Sequence, residues 1–94
     1  MKKPTRATIA ENATLAAEIA RAEMFSASIR LGPHDKRTRY FKDADPRVAY
    51  REALAAKAEM DAGSAFGRRA IVYAINPLGS FPIDDELAAL AGLQ

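Results

Sequence analysis

The stretch Phe25–Lys42, FSASIRLGPHDKRTRYFK, constrains the fold of this chain more than any other. From Phe25 to Leu31 the odd positions are apolar, and the even positions are Ser26, Ser28 and Arg30. A period of two is the pattern of a half-buried strand. Gly32-Pro33-His34-Asp35 follows with turn chemistry: a residue tolerant of positive φ, a fixed φ, and a side chain able to close a local turn. Lys36 to Lys42 then reads as a second strand, with Thr38, Tyr40 and Phe41 as strand formers. The whole is a β-hairpin rich in cations. The competing reading, a helix continued through Leu31 and ended at Gly32, sits poorly with the alternation.

With the loop at Gly32–Asp35, Leu31 opposes Lys36, Arg30 opposes Arg37, Ile29 opposes Thr38, Ser28 opposes Arg39 and Ala27 opposes Tyr40. Directly opposed residues share a face. The inner face is then Phe25, Ala27, Ile29, Leu31, Thr38 and Tyr40. The outer face is Ser26, Ser28, Arg30, Arg37, Arg39 and Phe41. Opposed like charges cost a sheet up to about 1 kcal/mol, which an anionic partner would relieve. Charges on an edge strand also have a second use, since they discourage aggregation. The parity hangs on the loop: one residue more or less exchanges the two faces.

The remaining chain supplies helices and further strands. Residues 1–7 read as a flexible basic arm, and residues 8–94 as a single α+β domain. Thr8-Ile9-Ala10-Glu11 matches a capping box, which predicts a helix from about Ile9 to Glu23 with Leu15, Ile19 and Ala22 on its apolar stripe. Asp45 is a good N-cap and Pro46 suits the first helical position, so a second helix is predicted from Pro46 to about Ala62, ended by Gly63 in a left-handed conformation. Ala49, Ala53, Ala56 and Met60 form its stripe. Ala70–Ile75 is apolar throughout and predicts a covered, central strand. Asn76-Pro77-Leu78-Gly79 is a turn, Ser80–Ile83 a short returning strand, and Asp84 the cap of a last helix to about Ala91. The order α-β-β-α-β-(β)-α describes a small antiparallel sheet, a hairpin plus one or two further strands, with helices packed on one face.

A chain of 94 residues makes one domain and buries roughly 60–70% of its unfolded surface. Alanine dominates its apolar residues, so the core is thin and a homodimer is a reasonable expectation. There is no cysteine, which excludes disulfides and thiolate metal sites and fits a cytoplasmic setting. No apolar run approaches the ~18 residues of a membrane span, and no apolar segment follows the basic start as a secretory signal requires.

Recognisable catalytic chemistry is missing. His34 is the one imidazole and lies in a turn beside Pro33 and Asp35, without a placed partner for a nucleophile–base pair. There is no P-loop, no dinucleotide fingerprint and no zinc-ligand spacing. Asp84, Asp85 and Glu86 suit a helix N-terminus better than a metal site. Tyr40, Tyr50 and Tyr73 read as core or helix–sheet contacts. The expectation is therefore a binding module, not an enzyme, with no cofactor or metal.

The net charge is only +2, but it is segregated. Cations gather in residues 1–6, 30–51 and 68–69, and acids in residues 7–24, 52–66 and 84–86. Such segregation steers partners more than the sum does. The expected partner is a nucleic acid, its phosphates meeting Arg30, Lys36, Arg37, Arg39, Arg47 and Arg51, with Phe41 among them for stacking. The alternatives are a regulator or mobile-element-type inhibitor docking an acidic protein through the same residues, and a structural homodimer. Acids of residues 7–24 and 84–86 folded over the basic face would instead make it a structural feature.

Overall fold

In the computed structural model the described residues are 6–64 and 67–94, with residues 6–10 described for their backbone alone. The elements are α1 (Arg6–Ala20), β1 (Met24–Gly32), β2 (Asp35–Phe41), α2 (Pro46–Ala62), β3 (Ile71–Asn76), β4 (Gly79–Ile83) and α3 (Asp85–Leu90). The strands form one antiparallel sheet in the order β2-β1-β3-β4. This is the small α+β fold that the sequence patterns predict, with the second short strand present.

One face of the sheet is covered by helices. Phe25, Ala27, Val72 and Ala74, which share that face by register, pack with Ile19 of α1, Ala49, Tyr50, Ala53 and Ala56 of α2, and Leu87 and Ala88 of α3. Phe41, Phe81 and Ile83 extend the layer toward both edges. The alanines of α2 let that helix lie close on β1. Phe25 meets Tyr50 with ring centroids 5.8 Å apart and a tilted geometry, the arrangement that aromatic quadrupoles favour.

Polar ties fix the elements to one another. Asn76, only 7% exposed, donates from Nδ2 to the Glu18 carbonyl at 2.9 Å and accepts the Leu78 N–H at 2.8 Å. It thereby joins the end of α1 to the β3–β4 turn. Asp61 accepts the Ala70 N–H at 2.6 Å and also holds Lys57, so the end of α2 fixes the entry to β3. Asp45 caps α2 by accepting the Arg47 N–H at 3.0 Å, and Asp84 caps α3 by accepting the Leu87 N–H at 2.8 Å.

Several local expectations are corrected. Helix α1 already includes Arg6 and Ala7 and ends at Ala20, so Thr8–Glu11 lies inside it and is not its cap. Of the expected basic arm, residues 1–5 lie outside the described residues. Gly63 ends α2 with φ −82°, so no left-handed residue closes that helix. Strand β3 is central but covered on one face only: Val72, Ala74 and Asn76 are buried, while Ile71 is 45% exposed. Its outward residues are apolar for a reason other than helix packing.

The hairpin has the tight turn but the other parity. Gly32 pairs with Asp35, as a loop at these residues requires, but the register then shifts at Leu31 and Arg30 faces Lys36. The rest follows: Ile29 faces Arg37, Ser28 faces Thr38, Ala27 faces Arg39, Ser26 faces Tyr40 and Phe25 faces Phe41. Pro33 holds φ near −65°, and none of the turn residues has a positive φ. The turn therefore lacks the twist of the primed hairpin turns, and a bulge beside it makes up the difference.

Candidate nucleic-acid interface

The face of the sheet without helices is organised in rows read off the register. One row is Tyr40, Ser26 and Tyr73, from β2, β1 and β3. The next is Thr38, Ser28 and Ile71. The third begins with Lys36 and Arg30, and the chain entering β3 brings Arg68 and Arg69 to the same place. An open hollow of about 390 Å³ joins these four cations to Ser28, Ile71 and Tyr73. A second, of about 230 Å³, runs from Lys36 past Thr38 and Ser26 to Tyr40, Tyr73 and Ser80. The two share Ser28, Lys36 and Tyr73, so they form one groove, and no carboxylate lines either part among the described residues.

The four cations have few internal partners. Arg30 donates from Nη1 to the Pro33 carbonyl at 3.4 Å. None of Arg30, Lys36, Arg68 and Arg69 is within ion-pair distance of an acid among the described residues. Arg30 and Lys36 stand directly opposed, an unfavourable cross-strand pair of like charge. Asp61 holds the segment that carries Arg68 and Arg69. Its partial burial pushes its pKa up, but the Lys57 ammonium, the Ala70 N–H and the Arg69 charge outweigh this and hold the carboxyl below its usual range.

Of the residues expected to bind, Arg30 and Lys36 therefore lie on this face, and the others do not. Arg37, Arg39 and Phe41 are on the helix side of β2, because the bulge inverts the parity. There Arg39 pairs with Glu59 at 3.0 Å and stands over the Phe41 ring, 5.5 Å from its centroid, while Arg37 lies 3.7 Å from Asp35. Arg47 and Arg51 belong to the helical layer. Arg47 pairs with its capping Asp45 at 3.3 Å and Arg51 donates to the Arg47 carbonyl at 3.4 Å. The Arg47 guanidinium and its backbone N–H hold Asp45 below the usual carboxylate range. Arg47 and Arg51 also line a separate hollow of about 360 Å³ with Tyr50, Leu54, Asp85 and Leu93. Burial pushes the Tyr50 hydroxyl up there, with help from Asp85 and Asp84.

Tyr40, Tyr73, Arg68 and Arg69 were not expected in the site. Arg68-Arg69 immediately before an apolar strand was the available signal. The expectation that the tyrosines make core or helix–sheet contacts holds for Tyr50 alone: Tyr40 is 63% exposed, and Tyr73 is half-buried on the open face. Among the described residues the acids paired with cations are Asp35, Asp45, Glu59 and Asp61, with Glu18 on Arg21; Asp84 is occupied as a helix cap.

Among the described residues no cluster of three or more His or acidic side chains is arranged to hold a metal, and no helix is long and apolar enough to cross a membrane. Comparison with protein-family models, curated proteins and solved structures returns no match to this chain.

Proposed function

We propose that the protein is a small non-enzymatic nucleic-acid-binding module that meets phosphates with the open face of its sheet. The observation that carries this reading is the gathering of Lys36, Arg30, Arg68 and Arg69 on one hollow that no carboxylate lines among the described residues. Opposed like charges at Arg30 and Lys36 work against the fold unless an anion lies across them. A cytoplasmic setting is part of the proposal, and the absence of cysteine is compatible with it.

The test is fluorescence anisotropy with a labelled mixed-sequence oligonucleotide at about 50 and 200 mM salt. Four phosphate contacts give a slope of log affinity on log salt of about −3. The double change Arg30→Glu/Lys36→Glu abolishes binding, whereas Arg37→Glu, on the other side of the same strand, preserves it. Loss in the second variant and retention in the first would refute this assignment of the surface. A homodimer packed through the same face is a second reading, drawn from the exposure of Tyr40 (63%) and Ile71 (45%). Sedimentation of the free protein separates it from the first.

A further inference from the structure

We infer that this face selects single-stranded nucleic acid by stacking its bases on Tyr40 and Tyr73. The inference rests on the phosphate-binding reading and adds the form of nucleic acid that is bound. Ser26 pairs with Tyr40 on one side and with Tyr73 on the other, so the two tyrosines occupy one row across three strands. Neighbouring strands lie about 4.8 Å apart, which puts the two backbones about 10 Å from each other. No helix among the described residues covers this face, yet Ser26 is only 3% exposed and Ser28 only 8%. Side chains of the flanking strands cover them, and Tyr40 and Tyr73 line the two sides of the hollow above Ser26, with Tyr40 63% exposed.

Tyr40 is the residue that folding alone does not explain. It is 63% exposed and stands outside the core cluster, although the edge strand could carry any polar strand former at that position. Along the strands, the tyrosine row lies four residues from the Lys36–Arg30 row, about 13 Å away. A chain laid across the groove therefore meets cations at one end and rings at the other. A duplex keeps its base faces inside its own stack and offers a protein only phosphates, sugars and base edges. It would use the cations and leave the rings idle. A single strand has free base faces and uses both, with little sequence preference, because every base has a π-face.

The experiment compares one labelled oligonucleotide of roughly 12 nucleotides, alone and annealed to its complement. The protein is expected to bind the single strand more tightly than the duplex. Tyr40→Leu and Tyr73→Leu each lower single-strand affinity about five- to a hundredfold and leave duplex affinity unchanged, while Tyr40→Phe and Tyr73→Phe preserve both. Melting temperatures establish that the leucine variants are folded. Should either fail to fold, tyrosine emission of the unaltered protein serves instead, since the chain has no tryptophan. Stacking predicts quenching by unlabelled oligothymidylate and none by duplex. Equal affinity for the two forms, leucine variants that bind as the parent does, or unquenched emission overturns the stacking inference and leaves the phosphate reading standing. No binding of either form at low salt overturns both.

Discussion

Asp61 joins the packing of the domain to the geometry of its proposed site, and its replacement should disturb both. Its carboxylate accepts the Ala70 N–H at 2.6 Å and holds Lys57 one helical turn away. Ala70 is 2% exposed, so Asp61→Ala leaves a backbone donor with little access to water. A hydrogen bond to a charged acceptor contributes about 1.5–3 kcal/mol net, and an i,i+4 ion pair about 0.3–0.5 kcal/mol. Asp61→Ala should therefore cost about 2–3 kcal/mol. Asp61→Asn retains an acceptor for Ala70 and should cost about 1 kcal/mol. Urea unfolding followed by far-UV circular dichroism measures both, and the alanine variant should melt on the order of 10 °C lower. The folded pKa of Asp61 lies below its unfolded value. Its contribution is thus complete above the unfolded carboxylate pKa of about 3.9 and is lost as pH falls through the folded value. The gap between the parent and Asp61→Asn should close in that acid window. Loosening Ala70 also releases Arg68 and Arg69, so Asp61→Ala should lower the salt slope of nucleic-acid binding. An alanine variant within about 0.5 kcal/mol of the parent would refute this account of the β3 entry.

Two further substitutions probe the core and its polar tie. Ala53 is fully buried where α2 meets the sheet; Ala53→Leu should push the helix off and cost about 1–3 kcal/mol by thermal unfolding, and no loss would mean the helix does not lie close. Asn76→Ala removes the acceptor for Leu78 and the donor to Glu18; a loss of about 1–3 kcal/mol in urea unfolding is expected, and a neutral result would deny the tie between α1 and the β3–β4 turn.

The fold was legible wherever a local rule had one solution. Asp45-Pro46 marks the start of α2, Asp84 marks the start of α3, and the period of two from Phe25 marks β1 as a strand, all as observed. The start of α1 was misread because Thr8–Glu11 fits a capping box equally well in the middle of a helix. Strand β3, expected to be covered, is covered on one face only for a related reason. An apolar run carries no record of which of its residues face helices and which line an open groove, and Ile71 and Tyr73 line the groove. Arg30 and Lys36 are legible as candidate binding residues, and both lie on the open face. Arg68 and Arg69 are not legible as such, because their place depends on Asp61, distant from the hairpin in sequence.

The identity of the site turned on one residue, Leu31. Without the bulge there, Gly32 paired with Asp35 would put Arg37, Arg39 and Phe41 on the open face and Tyr40 on the helical one. The bulged register reverses each choice, and side-chain chemistry favours it each time. Phe41, with no polar atom, packs beside the core, while the Tyr40 hydroxyl stays in water. Arg39 reaches Glu59 of α2, a partner that only the helix side offers. An exposed ion pair contributes little, about 0–1 kcal/mol; the aromatic exchange is the other effect, and because Phe41 is only partly buried it amounts to a part of the roughly 1.5–3 kcal/mol that full burial of a phenylalanine side chain gives. The same exchange that satisfies the core leaves an aromatic ring on the groove. Tyr40 is therefore where folding and proposed binding meet: the helix side has no use for its hydroxyl, and the open side gives its ring a base to stack on.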